Sequence, residues 1–164
     1  TEIAKKLSSK AISILCCETT TGNASIDMMS DMVSFPATIE AAKRAFSTTG
    51  LSPKDINFVE LHDCFTIAEI VDSEDLGFFE KGKGGLALEK GWTQIDGKLP
   101  INPSGGLLSK GHPVGATGLG QIYEVCKQLR GEHPNQLDSP KIGLAHNLGG
   151  TGAVCTITIL SRNF

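Results

Sequence analysis

The sequence predicts an α/β fold: a mixed, mostly parallel sheet of about five strands, with helices on both faces and an antiparallel hairpin at the C-terminus. Short apolar runs rich in β-formers alternate with stretches of helical periodicity. The last two such runs are separated only by a glycine-rich turn, which joins antiparallel neighbours. At 164 residues, 40% apolar and 20% charged, the chain suits one domain, spanning 1–164, with a buried core.

Residues 11–16 (AISILC) read as a strand, and the Thr-Gly-Asn composition of 19–23 reads as a loop. Pro36 at a first helical position, Ile39, Ala42 and Phe46 at helical spacing, and Gly50 as a cap predict a helix over 36–49. Residues 56–61 read as a buried strand. A sharp turn at His62-Asp63 then leads into a helix over 64–76, with Asp63 as its N-cap. Residues 77–99 hold six glycines and no sustained period, which predicts an irregular surface excursion. A helix over 115–129 is apolar on more than one face and requires cover from two sides. Strands over 141–145 and 153–160 flank a turn over 146–152.

Composition excludes several function classes. A net charge of −3 without a basic block disfavours nucleic acid, and no run of about 18 apolar residues is present to cross a membrane. Five cysteines, odd in number and without a CxxC pair, predict reduced thiols and a cytoplasmic location. Four histidines and five cysteines show no metal-ligand spacing, so no metal is expected.

Three loops carry the residue types of a reactive site. In His62-Asp63-Cys64-Phe65 a strand hands over to a helix, where α/β sheets place ligand contacts. A cysteine in the first helical turn beside an imidazole favours the thiolate, as nucleophile or base; the alternative is a small buried Cys. His112, between Gly111 and Pro113, suits proton transfer or donation to an oxyanion, or else serves as a structural histidine at a helix entry. The glycines of His146-Asn147-Leu148-Gly149-Gly150-Thr151-Gly152 permit backbone N–H groups to converge on an oxyanion, or simply turn a hairpin.

HDCF at 62–65, NPSGG and GHPVGATG within 102–118, and HNLGGTG at 146–152, in this order, resemble the C-terminal half of a thiolase. The resemblance is to the sterol-carrier-protein type and related archaeal acetyl-CoA acetyltransferases, in which HDCF replaces the Asn-Glu-Ala-Phe motif of ordinary thiolases. It covers essentially the whole chain, and residues 2–7 match the tail of a helix preceding the first strand. The resemblance implies acyl transfer between thioesters: reversible Claisen condensation of acyl-CoAs, or thiolysis of 3-oxoacyl-CoA. It implies that His112 activates an acylated cysteine and donates to a thioester oxygen, with His62 lining the same oxyanion site. Cys64 would be the acid/base, because the final loop carries His146-Asn147 where ordinary thiolases carry a cysteine. His146 is a further catalytic candidate, and Asn147, Leu148, Gly149 and Gly150 are candidate backbone donors.

The resemblance also implies coenzyme A thioesters as substrates, with no permanently bound cofactor. The nucleophilic cysteine, the N-terminal half and the loop domain would precede Thr1, leaving these 164 residues inactive alone. Expected partners are acyl-CoA, that N-terminal half, further copies in a homodimer or homotetramer, and a downstream synthase. The competing class is a non-catalytic acyl-CoA-binding or scaffolding subunit that has lost the nucleophile.

Overall fold

Two strands joined by a tight turn, β3 (Ile142–Gly149) and β4 (Val154–Ser161), form the middle of the sheet, as the hairpin pattern predicts. In the computed structural model, which describes residues 2–29 and 31–162, β1 (Ser13–Thr21) adds antiparallel to β4. On the opposite side β2 (Phe58–Glu60) adds parallel to β3, completing a four-stranded sheet of order β1-β4-β3-β2. The α/β class holds, but among the described residues two of the three pairings are antiparallel, and four strands take the place of about five. The physical reason is that β1 and β3 both pair antiparallel with β4, so the short β2 alone adds a parallel pairing.

Helices α1 (Glu2–Leu7), α2 (Pro36–Thr49), α3 (Thr66–Asp75), α4 (Gly84–Glu89), α5 (Gly106–Lys110) and α6 (Thr117–Arg130) complete the described elements. Helix α2 has the predicted bounds, with Pro36 in its first turn and Gly50 left-handed at φ 69° as its cap. Its buried residues are Ala37, Thr38, Ala41, Ala42 and Ala45; of the apolar residues that gave the helical spacing Ala42 is buried, whereas Ile39 is 43% exposed. Small side chains allow the helix to lie close against β1 and β4. The period-2 alternation of the strands separates two cores. Val59, Leu144, Leu148, Ile157 and Ile159 pack on the α2 side, whereas Phe58, Ala145 and Leu160 meet Val125 and Leu129 of α6.

Several boundaries differ from expectation, among them the starts of β1 and α6, each two residues later, and β2, which is shorter at both ends. The Thr19-Thr20-Thr21 stretch is strand rather than loop: β-branched residues suit a pleated surface, and Thr19 and Thr156 hydroxyls meet across the strands at 3.0 Å. Residues 146–149 continue β3 instead of turning, because each pairs with β4. Helix α3 begins at Thr66, two residues later than predicted. The 77–99 excursion is irregular apart from α4, and Trp92 is covered by the Lys98 ammonium 3.7 Å from its ring centre. Helix α6 buries one face and exposes another, with Leu119 73% and Tyr123 59% accessible. Among the described residues no helix is long and apolar enough to cross a membrane.

Gly143 sets the approach of α6 to the sheet. A Cβ there would lie 2.5 Å from Phe58 Cζ and 2.7 Å from Val125 Cγ1. Gly143→Ala is expected to destabilise by about 1–3 kcal/mol through overpacking, read as a lower urea midpoint at unchanged slope.

Candidate active site

The end of β2 organises the site. Glu60, fully buried, accepts from Ser104 N at 3.0 Å and from Ser104 Oγ at 2.6 Å, and lies 3.7 Å from Lys110 Nζ. Burial pushes its carboxyl above the usual range, against the pull of Ser104 and Lys110. Asp63 is not the helix cap that the sequence suggests. The α3 cap position is Phe65, while Asp63 Oδ1 accepts from Leu107 N at 2.7 Å. A side chain on Gly106, at φ 63°, would overlap the Asp63 carboxylate. These two acidic residues therefore tie the NPSGG loop and α5 to the strand end that carries His62, and α5 delivers His112.

His112 stands in the exposed turn ahead of α6, with its ring centre 5.0 Å from that of His62 in an edge-to-face arrangement. Its Nδ1 meets Thr117 Oγ1 at 2.6 Å, and that hydroxyl donates to Pro113 O at 3.2 Å. A hydroxyl has one proton to donate. With it directed to Pro113, His112 Nδ1 must be the donor to Thr117, leaving a lone pair on Nε2. The ring is thereby set up as a base.

His62 is buried, and Asn147 Nδ2 lies 3.1 Å from its Nδ1. Burial foremost, and then His112, lower its pKa to about 4, with Asp63 opposing. His146 has no exposed surface. Its Nδ1 accepts from His62 N at 3.5 Å, and its Nε2 meets Thr38 Oγ1 at 3.1 Å and Asp72 Oδ1 at 3.5 Å. Burial drives His146 down to about 3 and the Asp72 carboxyl well up, so the two form a neutral contact rather than an ion pair.

Cys64 precedes α3 instead of occupying its first turn. Burial above all raises its thiol pKa, against the pull of the Phe65 backbone N–H, the reverse of the expected thiolate. It opens onto an apolar cavity of about 270 Å³, with Phe35, Phe65, Val71 and Leu148 among its walls. Asn147, Leu148 and Gly149 lie within β3, whereas Gly150, at φ 60°, begins the turn. Beyond Ala145, β3 has no strand partner on its β2 side, and the His62 turn fills that position.

A match to the family described as thiolase C-terminal domain-like spans residues 19–162. The chain belongs to that family. It is 44% identical over 162 residues to acetyl-CoA acetyltransferase of Methanothermobacter thermautotrophicus, covering 98% of this chain and 42% of the relative. It is 45% identical to human sterol carrier protein 2, covering 96% of this chain and 29% of the relative. The chain thus spans well under half the length of these curated relatives. Among solved structures, an Ltp2-ChsH2(DUF35) aldolase superposes at TM-score 0.81 with 26% identity, over 90% of this chain and 38% of that one. An SCP2-thiolase like protein from Mycobacterium smegmatis shares the fold at TM-score 0.72 and 18% identity, covering 99% of this chain and 32% of that one.

In this thiolase-family chain the sequence motifs bring His62, His112 and Asn147 together, while His146 lies beneath them. Sequence reasoning missed Thr38, Asp72, Thr117 and Gln121. A signal existed for two: Thr117 and Gln121 stand one helical turn apart on α6, a polar pair on the face that Val125 and Leu129 continue into the core. Because His62 and His146 are held neutral, titration from pH 7 to pH 5 should leave both imidazoles unprotonated. Histidine 15N resonances check this, and charging of either ring near pH 6.5 would contradict the burial argument.

Proposed function

We propose that these residues form one domain, the C-terminal part of an acyl-CoA acyltransferase, whose complete polypeptide condenses acyl-CoAs or cleaves 3-oxoacyl-CoA by thiolysis. The observation that carries this reading is the pairing of His62 and His112 at 5.0 Å, beside Cys64 at the mouth of an apolar cavity. The identity with the acetyl-CoA acetyltransferase supports it. The nucleophilic cysteine would come from the N-terminal half, and His112 Nε2 would take its thiol proton as that cysteine attacks the acyl group and becomes acylated. His62, with Asn147 beside it, would stabilise the thioester oxyanion. In the thiolysis direction the neutral Cys64 thiol delivers its proton to the departing enolate carbon, and the resulting thiolate recovers a proton from incoming coenzyme A. The raised thiol pKa favours this acid role at rest. His146 would act through others, holding the backbone of the His62 turn. The cavity would receive the acyl group of a coenzyme A thioester, with no resident cofactor. Copies of the complete polypeptide would assemble as a homodimer or homotetramer, and a downstream synthase would take the product.

A second reading has one observation in its favour, the likeness to an aldolase component. Aldol cleavage requires a base and an oxyanion site but no acylated cysteine, so His62, His112 and Cys64 would serve it equally.

Acetoacetyl-CoA thiolysis by the complete polypeptide tests the first reading. Cys64→Ala should lower kcat by about 10² or more, and the 164 residues alone should show no turnover. Unchanged activity in Cys64→Ala would remove its acid/base role. A complete polypeptide inactive on short and long 3-oxoacyl-CoA would favour the aldolase or non-catalytic readings instead.

A further inference from the structure

The buried amide of Gln121, which has no exposed surface, lies between two strand ends and the site. Its Nε2 is 2.8 Å from His146 O and 3.4 Å from Glu60 O. Backbone carbonyls only accept, so the NH₂ end of Gln121 must face them and its Oε1 must face the other way. There it meets Asn147 Nδ2 at 3.1 Å. Only an NH₂ group satisfies that oxygen, so the orientation of Asn147 is fixed as well. The same Asn147 Nδ2 lies 3.1 Å from His62 Nδ1. A neutral imidazole carries one proton. With a donor directed at Nδ1, that proton resides on Nε2.

We propose that Gln121 and Asn147 form a tautomer lock, anchored on the Glu60 and His146 carbonyls, that holds His62 as an Nε2–H donor. Gln121 is then a positioning residue, acting on the reaction through Asn147 and His62. The adjacent His112 is held by Thr117 in the complementary tautomer, with its lone pair on Nε2. The two rings are chemically alike but are assigned opposite tasks: one donates to a developing oxyanion and the other accepts a proton. Through a rotation of its amide, an unanchored Asn147 would present either oxygen or nitrogen to His62, and the assignment would be lost. The anchor at Gln121 removes that freedom, because turning its amide would set an oxygen against two carbonyl oxygens in a buried site.

The catalytic consequence rests on the acyltransferase reading, whereas the lock itself does not. The test compares wild type with Asn147→Asp and Gln121→Met in 15N-histidine-labelled protein, with His62 assigned by its own replacement. Wild type should show His62 as the Nε2–H tautomer. In Asn147→Asp a near-isosteric carboxylate accepts rather than donates, so the His62 proton should move to Nδ1 and its pKa should rise above about 4. Gln121→Met should give a mixture of tautomers. In the complete polypeptide, acetoacetyl-CoA thiolysis by Asn147→Asp should fall about 10²-fold in kcat with little change in KM.

Nδ1–H in wild type, or an unmoved proton in Asn147→Asp, would overturn the lock whatever the activity. A moved proton with unchanged kcat in an active enzyme would overturn its role in the reaction. Tautomers as expected in a polypeptide without thiolysis would sustain the lock and remove the acyltransferase reading.

Discussion

The site depends on where β2 stops. Strand β2 pairs with β3 only as far as Glu60 opposite Ala145, while β3 continues to Gly149. Beyond that point the carbonyls of Glu60 and His146 need partners from outside the sheet, because a buried unpaired backbone oxygen is costly. Gln121 of α6 supplies both. One side chain thus solves a folding problem at the parting of two strands, and in doing so fixes an amide relay that ends on a histidine.

The same strand end carries the acidic residues that hold the opposing loop. Glu60 grips Ser104, and Asp63 grips the amide of Leu107. The segment between them delivers His112 to a ring contact with His62. Beneath this surface lies a second polar layer of Thr38, Asp72 and His146, kept neutral by burial. Its hydrogen bonds reach the His62 backbone without presenting a group to a ligand. The upper layer carries His62 and His112, and the lower one holds the backbone of the His62 turn.

The elements most legible in the sequence were those governed by local chemistry. Helix α2 kept its predicted bounds because Pro36 and Gly50 act on the backbone at its two ends. The β3–β4 hairpin was evident from two apolar runs around glycines. Local reasoning failed where a long-range partner decided. The threonines at 19–21 have loop-like company but find a strand partner in β4, and Asp63 had a helix amide nearby yet turned to Leu107. Cys64 follows from this: with the helix starting later, burial raises the thiol pKa that the helix end was expected to lower.

By itself the sequence determined the α/β class, the three motifs and their likeness to thiolases, because residue type and spacing are local properties. It also offered His62, Cys64 and His112 as candidate reactive groups. Strand order, the mainly antiparallel pairing, and the burial of His146 were decided only by the tertiary structure. So was the proton placement on the rings of His62 and His112, since a tautomer is set by whichever donor or acceptor arrives from elsewhere in the chain. For His112 that group is Thr117, five residues away, and for His62 it is Asn147, which only the sheet brings within reach.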